Sequence, residues 1–167
     1  MASGFRYRRR VEFAETDQAG IAHFSVFFRY MEEAEHALWR AAGMSIAPGG
    51  RAGWARVAAA FDFTSPLRFE DECDIFVDIA EAGRRKIRYA FRFALGERLV
   101  GTGTMTTVPV NKATDGGLTS YDVPADVLER LRAQLLEPQP KPARSSRGTP
   151  AIVRRATSSP VRSRRRF

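Results

Sequence analysis

The chain has 167 residues, 44% of them apolar, which is enough for a real core in one ordinary domain. Its net charge of +8 is uneven: residues 138–167 hold nine of the 27 Lys and Arg and no acid, so in residues 1–137 the other 18 face 19 Asp and Glu, and the high pI says little about a folded part. The single cysteine, Cys73, excludes an internal disulfide, no apolar run reaches bilayer length, and the first ten residues lack the apolar core of a signal peptide, so the expectation is a soluble cytoplasmic protein.

Phe5, Tyr7, Val11 and Phe13 alternate with Arg6, Arg8, Arg10 and Glu12, a strand with one mostly apolar face that stops at Ala14–Asp17. From His23 to Ala42 the period changes. Phe24, Phe27, Phe28, Met31, Ala34 and Leu38 recur at three and four residues, and Gly43 stands where a helix C-cap belongs. So wide and aromatic a stripe predicts a helix lying deep against a sheet.

Residues 44–54 are rich in turn formers and read as a loop. Four strands follow. Arg56–Phe63 sets Val57, Ala59, Phe61 and Phe63 on one face, and Glu72–Ala80 does the same with Ile75, Val77 and Ile79. Lys86–Leu95 alternates Ile87, Tyr89, Phe91, Phe93 and Leu95 with Arg88, Ala90, Arg92 and Ala94. Leu99–Val110 carries Gly101 and Gly103, which weaken its packing or mark a bulge. Asn111–Tyr121 reads as a polar loop, and Pro124–Leu136 as a short terminal helix. From Glu137 onward Pro, Ser, Arg and Thr dominate, so a disordered tail over 138–167 is expected beyond a domain of residues 1–137.

The fold class that suits this order is α+β, with a single antiparallel sheet of five strands curled around one helix. One helix covers one face of the sheet only, so burial predicts a dimer.

Asp17 is the leading chemical candidate. Spacing alone favours an ordinary loop or N-cap aspartate, although it stands six residues before His23, too far for a simple cap there. Its functional reading is a nucleophile or a general base for water, with a helix N-terminus supplying N–H groups to a developing oxyanion. His23 offers a base or a ligand, but no Asp, Cys or His set surrounds it at metal spacing. Glu35 lies beside the apolar stripe, either as a carboxylate buried in a pocket or, as is more often the case, at the stripe's border reaching water. His36 stands one turn from Glu32 as a surface pair. Arg84-Arg85-Lys86 is a basic cluster at a hairpin turn, either a solvated turn or a clamp for phosphate. No nucleophile elbow, P-loop or Gly-x-Gly-x-x-Gly motif is present.

Val11-Glu12-Phe13-Ala14-Glu15-Thr16-Asp17-Gln18-Ala19-Gly20-Ile21, followed by Phe28-Arg29-Tyr30-Met31-Glu32-Glu33-Ala34, resembles the 4-hydroxybenzoyl-CoA thioesterase family of hot-dog acyl-CoA thioesterases. The likeness covers about residues 5–136. It implies a hot-dog fold in a homodimer or homotetramer, acting on an acyl-CoA. Asp17 would attack the thioester or activate water, the Phe24 backbone N–H would polarise the carbonyl, and Gly20 would let the loop approach it. His23, Phe27, Arg84, Arg85 and Lys86 would bind substrate, the last three at the nucleotide phosphates. No metal or cofactor is implied beyond the coenzyme A of the substrate. Val26 and Phe27 stand where many members have Asn and Tyr, which implies a more apolar pocket.

Two rival functions remain. A hot-dog hydratase or dehydratase would pair a histidine with an acid, but five residues separate Asp17 from His23 where that motif has four. A binding protein would use the Arg-rich tail to attract nucleic acid or an acidic partner, without sequence specificity.

Overall fold

The computed structural model describes residues 4–50 and 52–136. The expected tail over 138–167 lies outside the described residues, as does the domain boundary expected at 137. The chain runs β1 (Phe5–Arg10), a 3-10 turn (Phe13–Glu15), α1 (Val26–Ala41), β2 (Ala52–Phe63), β3 (Glu72–Ala82), β4 (Ile87–Leu95), β5 (Arg98–Lys112), β6 (Leu118–Ser120) and α2 (Ala125–Leu136). The long strands lie in the order β1-β3-β4-β5-β2, every pairing antiparallel, and β6 pairs with the end of β5. Five long strands around one central helix are the expected hot-dog architecture. The segment read as a polar loop additionally contributes the three-residue β6.

The period-2 signal of β4 is realised residue by residue. Ile87, Tyr89, Phe91 and Phe93 are buried against α1, while Arg88 and Arg92 stand on the other face. On α1 the buried set is Val26, Phe27, Tyr30, Met31, Ala34, Glu35, Leu38 and Trp39, the three-and-four spacing of a core-facing stripe. The helix ends as expected. Gly43 takes φ +68°, its N–H reaches Arg40 O at 2.9 Å, and the Met44 N–H reaches Trp39 O at 2.9 Å. α2 packs on α1 and β3, with Leu131 fully buried.

Four expectations need correction. α1 begins at Val26, not His23: the His23 N–H donates to Glu15 O at 2.8 Å, and the Val26 N–H closes a separate turn on His23 O at 3.0 Å ahead of the helix. β1 stops at Arg10, so Phe13 lies in the 3-10 turn and is 75% exposed. β2 starts at Ala52, inside the expected loop, and a bulge between Arg56 and Ala58 turns Val57 outward and Arg56 inward against α1. Glu35 does not reach water: it is 0% exposed.

Gly101 and Gly103 are explained by close approach. A Cβ on Gly101 would meet Asp62 O and the Phe61 ring at 2.5 Å, and one on Gly103 would collide with Met31 Sδ. Among the described residues no helix is long and apolar enough to cross a membrane.

Candidate functional site

The loop carrying Asp17 is a small closed hairpin. Thr16 and Ala22 form an isolated antiparallel bridge, the Asp17 N–H donates to Ile21 O at 2.8 Å, and the Gly20 N–H donates to Asp17 O at 2.9 Å. Gly20 closes the turn at φ +72°, a conformation that costs a side-chain-bearing residue but not glycine. The Ala22 N–H donates to Leu67 O at 2.8 Å, which ties the loop to the segment following β2.

The Asp17 side chain is half-buried. Oδ1 accepts the Ala19 N–H at 2.8 Å and the Ile21 N–H at 3.4 Å, which fixes the carboxylate, and Oδ2 accepts no hydrogen bond among the described residues. A carboxylate held by one oxygen and open at the other can attack an electrophile or accept a proton from water.

The loop leads into α1 through His23, Phe24 and Ser25. His23 Nδ1 lies 2.8 Å from Ser25 Oγ and 3.4 Å from the Ser25 N, which holds the ring against the turn. No hydrogen bond joins His23 to Asp17 among the described residues. The Phe24 N–H also has no hydrogen-bond partner there, and its ring lies exposed beside that of His23, centroids 4.5 Å apart. Phe27, one turn on, is buried among Phe61, Phe63 and Phe93 at centroid distances of 4.9, 5.2 and 5.8 Å. The structure therefore brings Asp17, Gly20, His23, Phe24 and Phe27 to one end of the molecule.

Arg84, Arg85 and Lys86 lie at the other end. Phe27 packs at the cross-strand rung Phe63–Gly101–Phe93, whereas the basic turn adjoins the rung Arg56–Thr107–Ile87. Phe93 and Ile87 are about 20 Å apart along β4 at the usual strand rise. All three cations have carboxylate partners. Arg84 Nε and Arg85 Nε lie 2.9 and 3.2 Å from the two oxygens of Asp122, and Lys86 Nζ lies 2.9 Å from Glu81. Hydrogen bonds from Arg84 and Arg85 hold the Asp122 carboxyl below its usual range. The turn borders an open recess of about 670 Å³, with Val108 and Ser120 on its other wall.

Sequence reasoning missed Glu15, two residues before Asp17. It is 8% exposed, and its carboxylate accepts hydrogen bonds from Arg9 Nη2 at 2.8 Å, Tyr30 Oη at 2.6 Å and the Glu12 N–H at 2.8 Å. The sequence signal is the i,i+3 spacing of Glu12 and Glu15 around a short helical turn. Among the described residues no group of three or more His, Cys, Asp or Glu is placed to hold a metal ion.

The sequence profile of the Thioesterase-like superfamily matches residues 11–135. A protein of Aquifex aeolicus (strain VF5) that carries an esterase designation is 30% identical over 130 residues, which is 77% of this chain and 98% of that one. The structure of a gentisyl-coenzyme A thioesterase is similar at a TM-score of 0.67 and 26% identity, covering 74% of this chain and 98% of the other. A 1,4-dihydroxy-2-naphthoyl-CoA thioesterase from Synechocystis superposes with a TM-score of 0.68 over 77% of this chain and 95% of its own, and its 20% identity shows the fold alone.

Proposed function

The chain belongs to the Thioesterase-like superfamily, and from that premise we propose that it hydrolyses acyl-CoA thioesters at Asp17. The observation carrying this reading is the pairing of a carboxylate pinned through Oδ1 with an unengaged N–H at Phe24, on either side of one short loop.

The chemistry follows from the thioester. Its carbonyl carbon is electrophilic, and a thiolate is a competent leaving group. Either Asp17 Oδ2 adds to the carbonyl, or it takes a proton from a water that adds. In both cases negative charge builds on the carbonyl oxygen, and the free Phe24 N–H at the approach to α1 would stabilise it. The C–S bond then breaks and the thiolate leaves to be protonated. On the first route water next cleaves the acyl–Asp17 anhydride. Neither route requires a resident cofactor. Phe27 is buried beneath Phe61 and Phe63 and offers substrate no face; Phe63, which is exposed, and Phe61 would give the acyl side an apolar wall, which suits an unsubstituted acyl or aryl group better than a hydroxylated one.

The nucleotide end of the substrate would meet Arg84, Arg85 and Lys86. About 20 Å of strand separates that turn from the Asp17 end within one chain. β2 is an edge strand whose outer side is unpaired among the described residues, and Val57 and Phe63 are exposed along it. Two copies joined through β2 in antiparallel fashion set the Phe63 end of one beside the Ala52 end of the other. A homodimer of this kind brings the second copy's basic turn towards Asp17, and we include it in the proposal.

A hydrolysis screen over aliphatic, branched and aromatic acyl-CoAs, read as free thiol, tests the function. Asp17→Asn is expected to lower turnover at least 100-fold while the oligomer stays intact, and unchanged turnover would reject Asp17. Single-turnover hydrolysis in H₂¹⁸O tests the covalent route: label in the Asp17 side chain requires an anhydride cleaved at the Asp17 carbonyl, whereas label in the released acid alone fits activated water and an anhydride cleaved at the acyl carbon alike.

A further inference from the structure

Glu15 holds both ends of the Asp17 loop. Through its carboxylate it is bonded to β1 by Arg9, to α1 by Tyr30 and to its own turn by the Glu12 N–H. Through its carbonyl it accepts the His23 N–H. Residues 16–22, with Asp17 among them, therefore span between two points fixed by one side chain and its backbone. The His23 N–H is engaged by Glu15, and the next N–H along, that of Phe24, has no partner among the described residues.

The carboxylate itself is no candidate for the reaction. It is almost fully buried, and both oxygens are occupied. Nor is it an economical way to fix a fold, since a buried anion must recover a desolvation cost of several kcal/mol through its partners. The partners are matched to that need. Arg9 also pairs with Glu33 at 3.0 Å, and its guanidinium lies over the Tyr30 ring at 4.9 Å. Burial, and then the bond to Glu15, raise the Tyr30 hydroxyl far above its ordinary value, so it remains a proton donor across the working range.

We infer that Glu15, clamped by Tyr30 and Arg9, is a positioning residue that sets the distance between the Asp17 carboxylate and the Phe24 N–H. The inference rests on the Asp17 reading above. It adds that the spacing of the two reacting groups is governed from the buried side of the loop, by a residue no substrate touches. A displacement on the order of 1 Å in such a pair costs about 100-fold in rate.

Tyr30→Phe is the cleanest probe. It removes one hydroxyl, keeps the buried ring under Arg9, and leaves Glu15 the Glu12 N–H. The expected result is a kcat about 10-fold lower with KM unchanged within twofold, and far-UV circular dichroism like the parent's. Glu15→Gln removes the charge facing Arg9, and a larger loss of kcat is expected. In an Asp17→Asn background, Tyr30→Phe should lower the residual rate no further, because there is no carboxylate left to misplace.

A purely structural role would lower the unfolding midpoint in both variants and leave kcat intact. Folded Tyr30→Phe with kcat within twofold of the parent, alongside an inactive Asp17→Asn, would overturn the positioning role and leave the Asp17 reading standing. Full turnover in Asp17→Asn would overturn both. If Glu15→Gln does not fold, Tyr30→Phe decides alone.

Discussion

Arg56 Nη2 lies 2.8 Å from Glu35 Oε2, joining the middle of α1 to the edge strand β2. The same guanidinium nitrogen lies 3.2 Å from Glu32 Oε1 and 2.9 Å from His36 Nε2. Burial, and then the Arg56 charge, hold His36 below its usual range, so its ring is a neutral acceptor here. Glu35 has one oxygen paired and the other, Oε1, buried with no hydrogen-bond partner among the described residues. The bulge at Val57 creates this contact by turning Arg56 towards the helix.

The pair gives stability a pH dependence. Burial raises the Glu35 carboxyl to about 7, against an ordinary 4.5, even though Arg56 opposes the shift. Between those two values the folded chain binds more protons than the unfolded one, so Glu35 makes the fold less stable as pH rises across the window, and the loss levels off above pH 7. Glu35→Gln removes this titration. The depressed His36 contributes the opposite slope and stays in both proteins, so from pH 5 to 8 the Glu35→Gln midpoint should fall less, or rise more, than the parent's, and be no lower at pH 8. Arg56→Ala strands the carboxylate and should cost about 3 kcal/mol or more at pH 8, and less at pH 5. Parallel pH slopes for parent and Glu35→Gln would assign the dependence to other groups.

The basic turn is restrained by Asp122, and that restraint can be lifted. Asp122→Asn leaves Arg84 and Arg85 without their shared anion. If these cations meet the nucleotide phosphates, KM for an acyl-CoA should fall several-fold at low ionic strength and return towards the parent value as salt is added. An acyl-pantetheine, which lacks the nucleotide, should show no change. An equal fall for both substrates would mean that the turn acts on something other than phosphate.

Gly103 tests how tightly β5 meets the helix. Gly103→Ala drives a methyl into Met31 Sδ, with a Phe61 ring carbon at 2.9 Å and Ala60 O at 3.2 Å. The Met31 tail can yield, but the Ala60 carbonyl belongs to the neighbouring strand. A loss of about 1–3 kcal/mol is expected in urea unfolding. A variant as stable as the parent would show that the layers separate there at little cost.

These positions divide by how far their cause lies along the chain. The faces of β4 and α1 were legible because alternation and the three-and-four stripe are local patterns that burial then reads directly. The inward turn of Arg56 was not, because a single bulged residue reverses the parity of everything before it. Gly101 and Gly103 were visible as glycines, but their reason, Phe61 and Met31 crossing above them, comes from other elements. At the site, the Asp17 loop stood out through its resemblance to a family motif. Glu15 did not, since its importance comes from Arg9 and Tyr30, six and fifteen residues away.

The Phe24 N–H can be tested without touching Asp17. Proline has no N–H and suits the second position of a β-turn, whose own N–H takes no part in closing the turn. Phe24 stands two residues before α1, in the turn closed by the Val26 N–H on His23 O at 3.0 Å, and its own N–H serves no internal bond. Phe24→Pro should therefore fold, with an unfolding midpoint within a few degrees of the parent's. If the N–H stabilises the oxyanion, kcat should fall by about 100- to 1000-fold with KM little changed. Phe24→Ala supplies the control, since it removes the exposed ring beside His23 and retains the N–H, and its kcat should stay within a few-fold of the parent's. Equal losses in the two variants would assign the role to the ring, and full activity in Phe24→Pro would place the oxyanion donor elsewhere.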